Sequence, residues 1–135
     1  MLPASTKAGG VYFAMPDVCL TPAPPAPPVP VPYPNTAQVA SCNGTVSKVV
    51  IENKETVVEG SKVPNSSGDE AGTNGGVVSG VNRGPVEPKQ FSSKVFFGGK
   101  KATFVTAMAG HNGQNANMPA GAQIAPSQGK VLVGP

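Results

Sequence analysis

Pro22-Ala23-Pro24-Pro25-Ala26-Pro27-Pro28-Val29-Pro30-Val31-Pro32-Tyr33-Pro34 carries eight prolines. A pyrrolidine ring fixes φ and removes the amide donor, so no helix runs through this stretch and its backbone is extended. The expectation is a polyproline-II strap laid over a surface and not paired in a sheet, with Val29, Val31 and Tyr33 as apolar teeth between the rings. A free proline linker is the bland alternative, and it would need a domain on its N-terminal side to connect.

Upstream, Met1 to Gly10 is small and polar with a Gly9-Gly10 pair. Residues 1–15 are expected to form a flexible N-terminal arm, and 16–135 a single domain, near the commonest domain size. Downstream of the Asn43-Gly44 turn signal, Thr45–Ile51 and Glu55–Val58 are β-branched runs that predict a hairpin. Pro64–Gly76 is predicted loop, Val77–Val81 a short strand, and Asn82–Pro85 a turn. Ser92–Phe97, Gly98-Gly99 and Lys101–Thr106 form the strongest hairpin signal, with Phe96 and Phe97 expected opposite Phe104 and Val105 and most of the core there. Gly110 to Gly129 returns to small polar residues, and Lys130–Val133 offers a last strand. No segment holds helical periodicity over ten residues, so the predicted class is all-β.

Composition agrees. The 135 residues include 17 glycines and 16 prolines, with 39% hydrophobic, 5% aromatic and 13% charged residues and a net charge of +3. Disordered chains combine few apolar residues with high net charge, and this chain does not. Its basic residues are scattered, with Lys48, Lys54 and Lys62 alternating with Glu52, Glu55 and Glu59, so no nucleic-acid footprint is drawn. Met1 to Pro16 lacks the basic and apolar regions of a signal peptide, and no stretch approaches a membrane span. The expected history is synthesis in the cytoplasm without general secretion, with Cys19 and Cys42 kept as thiols.

Candidates for chemistry are few. His111 is the only histidine, and no Gly-x-Ser-x-Gly elbow accompanies the serines, so an enzyme is not expected. Metal binding is the sharper alternative: Cys19, Cys42 and His111 are ligand types that zinc prefers, with Asp17 or another carboxylate available to complete a set of four. Against it, Cys19 reads equally as a small buried hydrophobe and His111 as a loop hydrogen-bonder. Gly68-Asp69-Glu70-Ala71-Gly72-Thr73 fits neither a phosphate loop nor a calcium loop, and its acids suit turn bonding.

Two blocks carry a resemblance. Pro16-Asp17-Val18-Cys19, Thr21-Pro22 and Pro30-Val31-Pro32-Tyr33-Pro34-Asn35, followed by Ser67-Gly68-Asp69-Glu70-Ala71-Gly72-Thr73, Gly75-Gly76-Val77-Val78-Ser79-Gly80 and His111-Asn112, resemble the PAAR-like domains of type VI secretion and related phage-tail-like injection systems. The likeness runs from about Pro16 to Asn117. It implies a small, loop- and proline-rich cone of short β-hairpins with pseudo-threefold shape. One copy would cap a trimeric VgrG-type spike and be ejected with it, aiding membrane piercing and effector delivery. Better-studied members hold zinc with several histidines and a cysteine; this chain has one histidine and no Pro-Ala-Ala-Arg motif. The resemblance therefore points to zinc only through Cys19 and His111. Val29, Val31 and Tyr33 are the expected spike-docking face. The competing readings are a small metal-dependent secreted effector enzyme and an effector-recruiting adaptor.

Overall fold

A computed structural model of the chain describes residues 2–113 and 115–134. Among these the architecture is all-β, with one 3-10 turn at Val39–Ser41 and no α-helix. The strands are β1 (Leu2–Pro3), β2 (Val11–Ala23), β3 (Ala26–Gln38), β4 (Val46–Ile51), β5 (Lys54–Thr56), β6 (Glu87–Pro88), β7 (Phe96–Phe97), β8 (Lys100–Lys101), β9 (Met108–His111), β10 (Met118–Ala125) and β11 (Leu132–Val133). One antiparallel sheet of order β3-β2-β10-β9-β6 dominates, and β1-β11, β4-β5 and β7-β8 form small ribbons around it.

The proline stretch is extended, as its composition requires, but it is not an unpaired strap. It is β3, an edge strand zipped antiparallel to β2 with Thr21 opposite Val29, Cys19 opposite Val31 and Asp17 opposite Tyr33. Proline's missing donor matters only where an amide points at the partner strand. Pro30 and Pro32 lie opposite Leu20 and Val18, whose backbone groups are turned the other way: the Leu20 amide donates to the Gly75 carbonyl and Val18 accepts from Val77. The prolines thus fall at positions where no ladder bond is needed. The intervening Val29, Val31 and Tyr33 retain their N–H groups for the ladder with β2.

The inner face of the large sheet presents Tyr12 and Ala14 from β2, Asn35 and Ala37 from β3, Ala109 and His111 from β9, and Gly121 and Gln123 from β10, all buried. Between them Val11, Phe13, Met108, Ala122 and Ile124 are partly or largely exposed, the period-two alternation of a one-sided sheet. Strand β10 and the second half of β9 come from the small, polar stretch Gly110 to Gly129, for which no strand was expected. Their Ala, Gly and Met residues carry little β-propensity; packing admits them, since any side chain at Gly121 would run into the His111 ring.

Two apolar clusters fill the interior. One gathers Tyr12, Ala37, Val39, Cys42, Val57, Val63, Val86 and Ala109 behind the large sheet. The other gathers Ala4, Ile51, Ala102, Phe104, Ala107 and Val133, with Leu2, Val95 and Phe97 against it. The core is therefore shared, and not concentrated in the Phe96–Phe104 hairpin. That hairpin exists and turns on Gly98-Gly99, both at positive φ, but Phe96 pairs with Lys101 and Phe97 with Lys100. Phe104 bridges Ala4 instead. The β4-β5 hairpin forms as its sequence predicts, with Glu52 and Asn53 both left-handed in the turn. The segment expected as a flexible arm is built into the body: Leu2 pairs with Val133, and Ala4, Ser5 and Thr6 are fully buried. Val77–Val81 is a turn, not a strand, because its backbone bonds close on Gly76 and Gly80.

Candidate functional site

The motif residues, dispersed along the sequence, meet on the inner side of the β2-β3 hairpin. Register places Asp17 and Cys19 on one face of β2, where a strand directs alternate side chains. Loop 66–84 closes over that face, tied to it by the Cys19–Gly76 bridge and by the Leu20 and Val77 amides. Two glycines permit this approach. Gly68 sits at φ +120° with its α-carbon against the Pro34 carbonyl, and Gly72 lies directly over Cys19, leaving no room for a β-carbon.

Asp17, Cys19 and Asp69 are all fully buried. Their ligand atoms lie within 4.8 Å of one another, with Cys19 Sγ 3.7 Å from Asp17 Oδ1 and 3.8 Å from Asp69 Oδ2. Asn112 Nδ2 donates to Asp17 Oδ1 at 3.1 Å and lies 3.5 Å from Cys19 Sγ, while its Oδ1 accepts from the Gly84 amide at 2.8 Å. Asn117 Nδ2 donates to Asp17 Oδ1 and to the Val18 carbonyl, and its Oδ1 accepts from the amides of Val78 and Ser79. Asp69 Oδ1 accepts from the Arg83 amide at 3.1 Å, and Asn82 Nδ2 donates to the Asp69 and Gly72 carbonyls. Two asparagines near 112–117 therefore clamp the loop to β2 through one carboxylate.

His111 anchors the adjoining half of the network. Its Nδ1 lies 2.7 Å from Asn35 Oδ1, Asn35 Nδ2 donates to Ser66 Oγ at 3.0 Å, and Ser66 donates to the Gly84 carbonyl at 2.8 Å. With Asn35 accepting, Nδ1 carries the ring proton and Nε2 is a bare acceptor, buried without a partner among the described residues. Tyr12 packs edge-on against the ring at a centroid separation of 6.5 Å.

Burial sets the protonation states. It lowers the His111 pKa to about 4, against a smaller upward pull from Asp17, so the ring is neutral at pH 7. Burial, then the neighbouring Asp17 and Asp69, pushes the Cys19 thiol up to about 12, so it is protonated. Asp69 is raised to about 7 by burial and by the Asp17 carboxyl beside it. Glu70 instead stays on the surface and bonds the Gly68 amide, which lowers its pKa and fits the turn-bonding role expected of it.

Cys19 thus lies in a buried Asp–Cys–Asp group of metal-ligand types, with Asp17 and Asp69 as its companions. His111 stands outside that group, its Nδ1 occupied by Asn35. Val29 is 41% exposed, whereas Val31 and Tyr33 are half-buried, with the Tyr33 hydroxyl 2.6 Å from Thr21 Oγ1 and its ring edge over Gly72. In the sequence Asn35 and Asn112 stand only within the resembling motifs, and Asn117 only at the end of the span of likeness. Their signal was the recurrence of a carboxamide beside small residues, the composition of a packed polar brace. Open hollows of about 480 and 460 Å³ lie elsewhere, the first beside Glu59, Glu87 and Lys100, the second beside Lys7 and Glu55, and neither is lined by Asp17, Cys19, Asp69 or His111.

Comparison with curated proteins and with solved structures finds no match. A family model described as the toxin PAAR-like domain matches residues 10–118, a span that takes in every member of the network from Asp17 to Asn117. The chain belongs to the toxin PAAR-like domain family.

Proposed function

We propose that the chain is a non-enzymatic tip, seated in one copy on the end of a trimeric VgrG-type spike and ejected with it by a type VI or related contractile injection machine. In this reading it is made in the cytoplasm, leaves with the spike, and helps a sharpened end cross a membrane ahead of its effectors. The family match carries the reading, because it runs over residues 10–118 and is not an isolated motif. The network supports it: Asp17, Asn112, Asn117 and His111 are turned inward to fix a loop on a hairpin, and all but Asn117 are fully buried. A tip pushed against a membrane needs that rigidity, and the prolines of β3 add stability by removing conformations from the unfolded chain. A catalytic role would need such groups beside an accessible cleft.

Docking is assigned to the β2-β3 hairpin through Val29, Val31 and Tyr33. Burying a valine side chain contributes about 1.5–3 kcal/mol, so losing it to an aspartate lowers affinity by about tenfold to about a hundredfold. Capture of the chain by the co-produced spike trimer is the test. Val29→Asp, at the exposed end of the hairpin, should weaken it strongly, while Lys100→Ala on exposed β8 should not. Wild-type chain that does not join the trimer, or a Val29→Asp chain that joins it normally, would overturn the assignment.

A further inference from the structure

Asp17 and Asp69 are fully buried, yet among the described residues neither forms an ion pair; the salt bridges there are Lys89–Glu87 and Lys130–Glu52 on the surface. A carboxylate taken out of water without a cation is costly, and proteins resolve this with a proton, a basic partner or a metal. The hydrogen bonds leave one corner open. Asp17 Oδ1 takes the donors from Asn112 and Asn117, while Asp17 Oδ2 is buried with no partner among the described residues. Asp69 Oδ1 takes the Arg83 amide, and Oδ2 faces Cys19 Sγ. Lone-pair-bearing atoms of an acid, a thiol and a second acid therefore converge where no described basic group reaches.

Their spacing is informative. A tetrahedral ion with bonds of about 2.3 Å to sulfur and about 2.0–2.2 Å to oxygen holds those ligands about 3.5–3.7 Å apart. From Cys19 Sγ to Asp69 Oδ2 the distance is 3.8 Å, and one ligand atom from each of the three residues lies within 4.8 Å of the others. The surroundings also suit an ion: the asparagine carboxamides orient Asp17 by bonding its other oxygen, the role that outer partners play around metal ligands. Asn112 further offers an N–H to the sulfur at 3.5 Å.

We infer that Asp17, Cys19 and Asp69 form a binding site for one zinc-class divalent cation, lying beneath loop 66–84 and independent of His111. One thiolate with two carboxylates is a borderline-soft set, which selects zinc or cobalt(II) over calcium and magnesium. Three protein ligands leave a position for water. Binding replaces the thiol proton: the Cys19 S–H bond breaks, a sulfur–metal bond forms, and one proton passes to solvent. The ion would cross-link β2 to the loop at the point where Asn112 and Asn117 already hold it.

The test uses the full chain, stripped with a chelator and then titrated with zinc or cobalt(II) alone. The site predicts one equivalent bound per chain and a melting temperature raised by several degrees. With cobalt(II) it predicts a near-ultraviolet thiolate-to-metal charge-transfer band. Cys19→Ser removes the band, Asp69→Asn weakens binding by roughly tenfold or more, and His111→Gln leaves stoichiometry and band unchanged. Because Cys19→Ser is nearly isosteric, it keeps the test decisive should Asp69→Asn not fold. A wild-type chain that takes up no metal overturns the site, as does binding that survives Cys19→Ser, or binding lost with His111→Gln alone. In the first case the acids share a proton instead. Spike capture repeated in chelator reads the tip proposal separately, since docking does not use these residues.

Discussion

The two sides of the molecule are held together by different physics. Around β1, β11 and the segment through Phe104, the interior is built on an apolar cluster of Ala4, Ile51, Ala102, Phe104, Ala107 and Val133, with Leu2, Val95 and Phe97 packed against it. Beneath loop 66–84, the interior is a hydrogen-bonded set of acids and amides, from Asp17 and Asn112 to Asn35 and His111. Apolar packing is non-directional and tolerates exchange of similar volumes. A buried polar network fixes one geometry and fails when a member is lost. Asp17, Cys19, Asn35, Asp69, His111 and Asn112, which carry the sequence resemblance, lie on the polar side, where they act as a brace.

The comparison can be broken by substitution, beginning with the largest effect. Phe104→Ala should cost about 4 kcal/mol, measured by denaturant unfolding, through lost burial and a cavity. The loss should appear as global destabilisation with the loop intact at low denaturant. Asn112→Ala should cost about 3 kcal/mol, because it strands the Gly84 amide and takes a donor from the buried Asp17 carboxylate. Here the loop should open first, read as proteolysis within 66–84 under native conditions. Equal susceptibility of that loop in the two variants would erase the distinction between the sides.

The smallest effect concerns pH. The His111 pKa is about 4 folded against about 6.5 unfolded, so between those values the unfolded chain binds the extra proton and stability falls as pH drops. Charged or titratable neighbours of the ring are Tyr12, packed edge-on, and Asp17, which pulls the other way. The stability difference between wild type and His111→Gln, measured in chelator, should shift against the wild type by up to about 3 kcal/mol from pH 7 to pH 4. Taking the difference removes what the carboxylates common to both chains contribute. A pH-independent difference would mean that the ring is not held neutral.

The extended character of Pro22–Pro34 was legible because proline dictates it locally. Its pairing was not, because pairing depends on whether each missing amide faces a neighbour, and the alternation of Pro30 and Pro32 with Val29, Val31 and Tyr33 sends them away from β2. Strands β9 and β10 were hidden for a related reason: Gly121 and Ala109 join the sheet by close fit to His111 and Tyr12, a tertiary effect with no local signal. The first residues read as an arm since small polar side chains usually lie outside, yet Ser5 is buried by a bond to Gln123 far along the chain. At the site, Cys19 and His111 stood out as reactive types, whereas the residues that organise it are asparagines. Their partners, more than fifty residues distant in several cases, are set by the fold.

Amide hydrogen exchange on Asn112→Ala against wild type tests the brace most directly. The amides of Leu20, Asn74, Gly76 and Val77 bond within or onto the loop, while those of Ala4, Val57 and Ser92 bond on the apolar side. Exchange at the first group should quicken by roughly a hundredfold, the factor for a local loss of about 3 kcal/mol, with the second group little changed. Uniform acceleration across both groups, or none at the loop, would contradict the account.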